Sequence, residues 1–148
     1  MPGLRYARLI EKYSDALAIG IVHKLHAAER TDSLRAIPAT ELEHDVRQLV
    51  QHLGDWLDTK TESDVHQRFT RLGARRGQQG VPLEQLVWAM IISKEHLWTF
   101  MQGEALADDA LELLSELEFV ISLEQFFDRA VYYVIVGHKS AMKERQAA

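Results

Sequence analysis

An all-α fold is predicted by three features of the sequence. Apolar residues recur at three- and four-residue spacing through long runs. No segment shows the two-residue alternation or the Asn-Gly turn of a β-hairpin. The three prolines all stand where helices could begin. The chain has 148 residues, 47% of them apolar and 26% charged, enough for one hydrophobic core without staples. One domain over residues 1–140 with a frayed tail over 141–148 is expected.

The first helix is expected from about Leu4 to Glu29, with Leu9, Ile10, Tyr13, Leu17, Ile21 and Leu25 in phase. Gly20 inside that run marks a close helix crossing. Arg30 to Ala39 breaks the pattern. Thr40-x-x-Glu43 then reads as a capping box, in which hydroxyl and carboxylate each satisfy a backbone N–H. Behind it, Leu42, Val46, Leu49, Leu53, Trp56 and Leu57 form one stripe. Thr61 to Asp64 repeats the start signal, and Val65, Phe69 and Leu72 point inward. That helix is expected to end near Gly77 or Gly80, where Arg75-Arg76 suits the negative end of the helix dipole. Glycines 73 and 77, four apart, let another helix approach closely.

Pro82 opens the fourth helix. Seven consecutive apolar residues, Leu86 to Ile92, cover all its sides, and Gly103 interrupts it. A long last helix is expected from near Leu106–Asp108 to Val136, with a break conceivable at Ser122. Gly137 reads as its C-cap, with His138 and Lys139 beside it.

Composition excludes several functions. There is no cysteine, which rules out disulfides, thiolate metal sites and cysteine nucleophiles. A net charge of −5 argues against nucleic acid as a partner. No stretch reaches the roughly 18 uncharged apolar residues of a membrane span. The segment from Met1 to Tyr6 has no apolar signal-peptide core, so a cytoplasmic location is expected. No serine lies in a Gly-x-Ser-x-Gly turn, and the glycines lack the context of a phosphate loop. No catalytic residue is assigned.

His23-x-x-His26 has ligand spacing but no acid one turn away, and Glu41-x-x-His44 lacks the second copy that a di-iron site needs. Both are read as surface residues, and no metal site is assigned. Glu124, on the inner seam of the last helix, is expected to pair with Arg68, Arg71 or Arg76. His96 lies in phase with Trp88, Ile92 and Phe100, the setting of an axial haem ligand. A haem-binding globin-type sensor is therefore the alternative to a cofactor-free domain. The C-terminal half also holds more aromatics than one core would use. Phe119, Phe126, Tyr132 and Tyr133 are assigned to a homodimer seam on the last helix.

The run Phe69-x-x-Leu72-Gly73-x-Arg75-Arg76-Gly77-x-x-Gly80-Val81-Pro82-Leu83-Glu84-Gln85-Leu86-Val87-x-Ala89, followed by Leu97-Trp98-x-Phe100, resembles the N-terminal domains of RsbR-type co-antagonists of the bacterial stressosome. The resemblance extends over most of the chain. It implies a globin-like bundle of about five to seven helices that usually lacks haem and pairs as a dimer. It also implies a non-catalytic role in stress signalling through protein partners. The phosphorylatable regulatory domain that follows in that family is not within these residues, so an excised domain or a stand-alone relative is expected.

Overall fold

A computed structural model describes residues 2–104 and 110–147, with side chains for 5–103 and 113–147. Among the described residues six α-helices follow one another: α1 (Pro2–Lys12), α2 (Ser14–Ala27), α3 (Ala39–Thr59), α4 (Glu62–Gln78), α5 (Leu83–Glu104) and α6 (Ala110–Ala147). A 3₁₀ segment, Glu29–Ala36, links α2 to α3. No strand occurs among the described residues, and no helix is long and apolar enough to cross a membrane. The expected start of the last helix near Leu106–Asp108 lies outside the described residues.

The single first helix expected from Leu4 to Glu29 is two helices. Tyr13 leaves helical geometry at φ −105°, ψ 18°. The ladder nevertheless continues across it, from Tyr13 N–H to the Leu9 carbonyl (3.2 Å) and from Leu17 N–H to the Tyr13 carbonyl (2.9 Å). The bend turns Tyr6 and Ile10 of α1, and Leu17 and Ile21 of α2, toward the same core. The Tyr13 ring itself packs edge-on against Phe100. After α2 the Thr31 hydroxyl, buried, donates to the Leu25 carbonyl at 2.7 Å. Gln85 of α5 then pins the 3₁₀ segment by accepting from Ser33 N–H and donating to Asp32.

The expected capping box at Thr40 does not form. Helix α3 starts earlier, because the Pro38 carbonyl already accepts from Glu41 and Leu42. Thr40 is thereby one position inside the helix and exposed. Thr61 does occupy the N-cap of α4, as expected, but its hydroxyl donates to Thr59 Oγ1 instead of closing a box. At the other end of α4, Gly80 adopts φ +81°. The Val81 N–H returns to the Arg76 carbonyl and the Gly80 N–H to the Gly77 carbonyl, the pairing of a Schellman cap. The Pro82 carbonyl then starts α5, which is described as far as Glu104, one residue beyond Gly103.

Helix α6 is 38 residues long, about 57 Å at 1.5 Å per residue. Neither expected interruption occurs. Ser122 is a docking point: its carbonyl accepts from Trp56 Nε1 and its hydroxyl from Lys60 Nζ. Gly137 is no C-cap, because the helix continues to Ala147. Its absent side chain is used for packing. A Cβ there would overlap the Thr70 carbonyl of α4, and one at Gly73 would overlap the Val134 carbonyl of α6. Gly77 completes the seam against Ala141 and His138. The segment expected to fray is part of this contact: Ala141 is buried and Arg145 donates to the Gly77 carbonyl at 3.1 Å. His138, expected at a helix end, is buried and bonded to the Val81 carbonyl at 2.7 Å.

Gly73→Ala and Gly137→Ala are therefore expected to destabilise by at least about 2 kcal/mol each, since backbone on both sides must move. Gly103→Ala, with no described atom within 4 Å, is expected to stabilise by roughly 0.5–1 kcal/mol through helix propensity. Urea denaturation of the three variants checks both signs.

Candidate functional site

Of the four residues assigned to a dimer seam, two are in the core. Phe119 stacks on Tyr6, with ring centroids 4.7 Å apart, and is 3% exposed. Phe126 is wholly buried against Trp56, Phe69 and Phe127. Both lie on the side of α6 that faces the other helices, so neither presents surface. Tyr133 is half-buried and stacks on His66 of α4 at 4.5 Å. Tyr132 alone of the four is fully outward, at 61% exposure.

Tyr132 does not stand alone on that face. Leu114, Leu117, Ile121 and Val136 are exposed too, and at 3.6 residues per turn all five fall on one line along α6. Glu118, Gln125 and Asp128 interrupt it. At its N-terminal end the line borders an open groove of about 350 Å³, whose apolar wall includes Trp98, Met101, Leu113 and Val120. Large exposed apolar residues set in a line are uncommon on a monomer, where such residues are normally scattered. This face is the candidate functional site of the described residues.

The residues considered for haem are placed differently. The Nε2 and Cε1 edge of His96 lies against Gly20 of α2, so close that a Cβ there would come within 2.9 Å. Gly20 leaves room for the His96 imidazole, a side chain, and not for the backbone of a crossing helix. Trp88 is covered by the Arg30 guanidinium at 4.4 Å, and Phe100 by Tyr13. Ile92 packs on the core. The Nε2 edge is thus taken up by the contact with α2, while Nδ1 is buried without a hydrogen-bond partner among the described residues. Among the described residues no three His, Asp or Glu side chains gather for a metal either.

Sequence reasoning missed a buried ion cluster. Arg76 is 2% exposed, and its guanidinium bonds Asp45 and Glu41 of α3 and Gln79, the C-cap of its own helix. Arg75 holds the other oxygen of Asp45 at 2.7 Å. Glu41 is therefore a partner of the buried arginine, not a free surface residue, while His44 is exposed. Burial alone would raise the Glu41 pKa. The Gln79 hydrogen bond and the Arg76 and Arg75 charges outweigh it and hold the carboxyl below its ordinary value. Glu124 pairs instead with Lys94, at 3.1 Å. The signal for Arg76 was present: it is in phase with Val65, Phe69 and Gly73, the inner stripe of α4. Reading Arg75-Arg76 as a basic helix end concealed it.

Two histidines have depressed pKa values, His52 by burial and the charge of Arg68, His96 by burial and the charge of Lys24. The unfolded chain takes up these protons near pH 6.5, and the folded chain takes them up only at lower pH. Acid between those limits favours unfolding. Glu41 adds loss in the same direction nearer its own range. Stability is therefore expected to fall when pH is lowered from about 7.5 to about 5.5. The His52→Gln/His96→Gln variant is expected to lose most of that dependence, read as urea midpoints at the two pH values.

Comparison with known proteins points one way. Comparison with curated proteins and with solved structures found no match. A family model, the RsbT co-antagonist protein rsbRD N-terminal domain, matches residues 15–148. It begins at α2 and runs through the glycine seam, the Schellman turn and the whole of α6. The all-helical architecture and this match over nine-tenths of the sequence agree with the resemblance carried by the Phe69–Phe100 run, and the chain belongs to the family of RsbT co-antagonist rsbRD N-terminal domains.

Proposed function

We propose that this chain is a non-catalytic, haem-free sensory or regulatory domain of globin-like type. On this reading it pairs with a second copy through the outer face of α6 and passes a signal to a protein partner. Membership of the RsbT co-antagonist family supports a regulatory role within the stressosome, in the bacterial cytoplasm. The packing of His96 against Gly20 favours action without haem.

The observation that carries the proposal is the exposed line Leu114, Leu117, Ile121, Tyr132 and Val136. It extends over about 33 Å of helix at 1.5 Å per residue. A single self-complementary face of this kind is covered most simply by a two-fold pairing of identical helices. The opposite face of α6 carries Leu123, Ala130, Val134 and Ala141 into the domain. Any change of packing inside thus moves the same rigid rod that bears the pairing surface. That coupling is what a domain needs to convert an internal event into an altered contact with a partner.

Sedimentation velocity tests the pairing. The chain is expected to be a dimer at micromolar concentration. Leu117→Asp and Ile121→Asp are each expected to weaken it by at least about 30-fold, the scale of an interface hot spot. Both positions are outward, so helicity by circular dichroism should not change. A monodisperse monomer at high micromolar concentration would overturn the proposal.

A further inference from the structure

Between α3 and α4, next to the Arg76 ion cluster, lies a polar cleft of about 260 Å³. Its α4 wall carries Arg68, Arg71 and Arg75, one helical turn apart in succession, and its α3 wall carries His44, Asp45 and His52. Arg75 is engaged with Asp45. Asp45 is fully neutralised, since Arg76 takes its second oxygen. Arg68 and Arg71 have no hydrogen-bonding or ion-pair partner among the described residues. On a chain of net charge −5, two unspent guanidinium groups on one wall of a cleft are a local reversal of sign.

His52 supplies the second, independent observation. It is 9% exposed and lines the cleft, and neither ring nitrogen has a hydrogen-bond partner. A buried polar group without a partner carries a desolvation cost, which a ligand accepting its N–H would remove. Asp55 and Asp64 stand on the far side of His52, lining a separate narrow crevice. Their charge leaves the arginine side of the cleft as the seat for an anion.

We propose that this cleft is a binding site for a compact organic anion, a carboxylate or a phosphate ester. Arg68 and Arg71 would bind its charged group, and His52 would donate a hydrogen bond from the floor. At about 260 Å³ the cleft is just below the roughly 300–1,000 Å³ of pockets for drug-sized ligands, which suits a small metabolite. The planar, always-charged guanidinium suits either oxyanion by paired hydrogen bonds. Such a ligand would bridge α3 and α4 and so bear on the helix to which α6 is locked. The site itself does not depend on pairing of the domain, and a binding measurement stands whatever the oligomeric state.

Calorimetric titration of the full chain at constant ionic strength tests the site, with inorganic phosphate and citrate as probes and chloride as the control. Saturable binding of phosphate or citrate beyond chloride is expected, and which of the two binds separates the phosphate from the carboxylate source. Arg68→Gln and Arg71→Gln are each expected to weaken it by about tenfold or more. Both side chains are exposed, so the ligand-free melting temperature should not move. The His52 ring resonances should shift on titration. No saturable binding of either probe would overturn the proposal. So would equal binding to the Arg68→Gln/Arg71→Gln double variant, which would place the anion elsewhere.

Discussion

Helices α4 and α6 meet backbone to backbone, with Gly73 beneath the Val134 carbonyl and Gly137 beneath that of Thr70. No residue with a Cβ allows so close an approach, and much else follows from it. The C-terminal third of α6 must remain helical to keep the seam, so Ala141 is buried and Arg145 reaches the Gly77 carbonyl. His138 comes within bonding distance of the turn that joins α4 to α5. Because the inner face of α6 is fixed along its length, the outer face is fixed as well. Tyr132 and Val136 have no way to turn inward without lifting the glycines off α4.

The α3–α4 junction is built on the opposite physics. Here a buried arginine and two carboxylates replace interlocking apolar side chains. Breaking such a pair from one side leaves an uncompensated charge, at a cost of about 3–5 kcal/mol. Ion pairs set a distance between helices rather than closing it, and the cleft beside them keeps two arginines in reach of solvent next to a buried imidazole. The domain thus has one rigid seam and one open one, both on α4.

The elements were largely legible in the sequence, because their signals are local. Pro82, Thr61 and the glycines after Arg76 mark ends that hydrogen bonding between near neighbours decides. Readings failed where one residue type has two uses. A glycine followed by His-Lys is as good a C-cap as it is a contact point, and only the partner helix distinguishes them at Gly137. Thr40 lost its cap to Pro38, whose carbonyl satisfies the first turn two positions earlier. Phe119 and Phe126 could not be told from surface aromatics by number alone, since Tyr6 and Phe69, which cover them, are distant in sequence. The candidate face was half visible: Tyr132 was named for it, while Leu114, Leu117, Ile121 and Val136 were not assigned to it. A 3.6-residue period places two apolar strips on α6 but does not say which one the domain covers.

The account rests on the outer face of α6 being a contact between two copies. A spin label at Asp128, midway along that face and exposed, reports this directly by pulsed dipolar spectroscopy. Paired helices lie about 8–10 Å apart between axes, so a short and narrow distance distribution between the two labels is predicted. A dimer whose labels at this position are far apart, beyond about two domain radii, would contradict it, because the contact would then lie on another face.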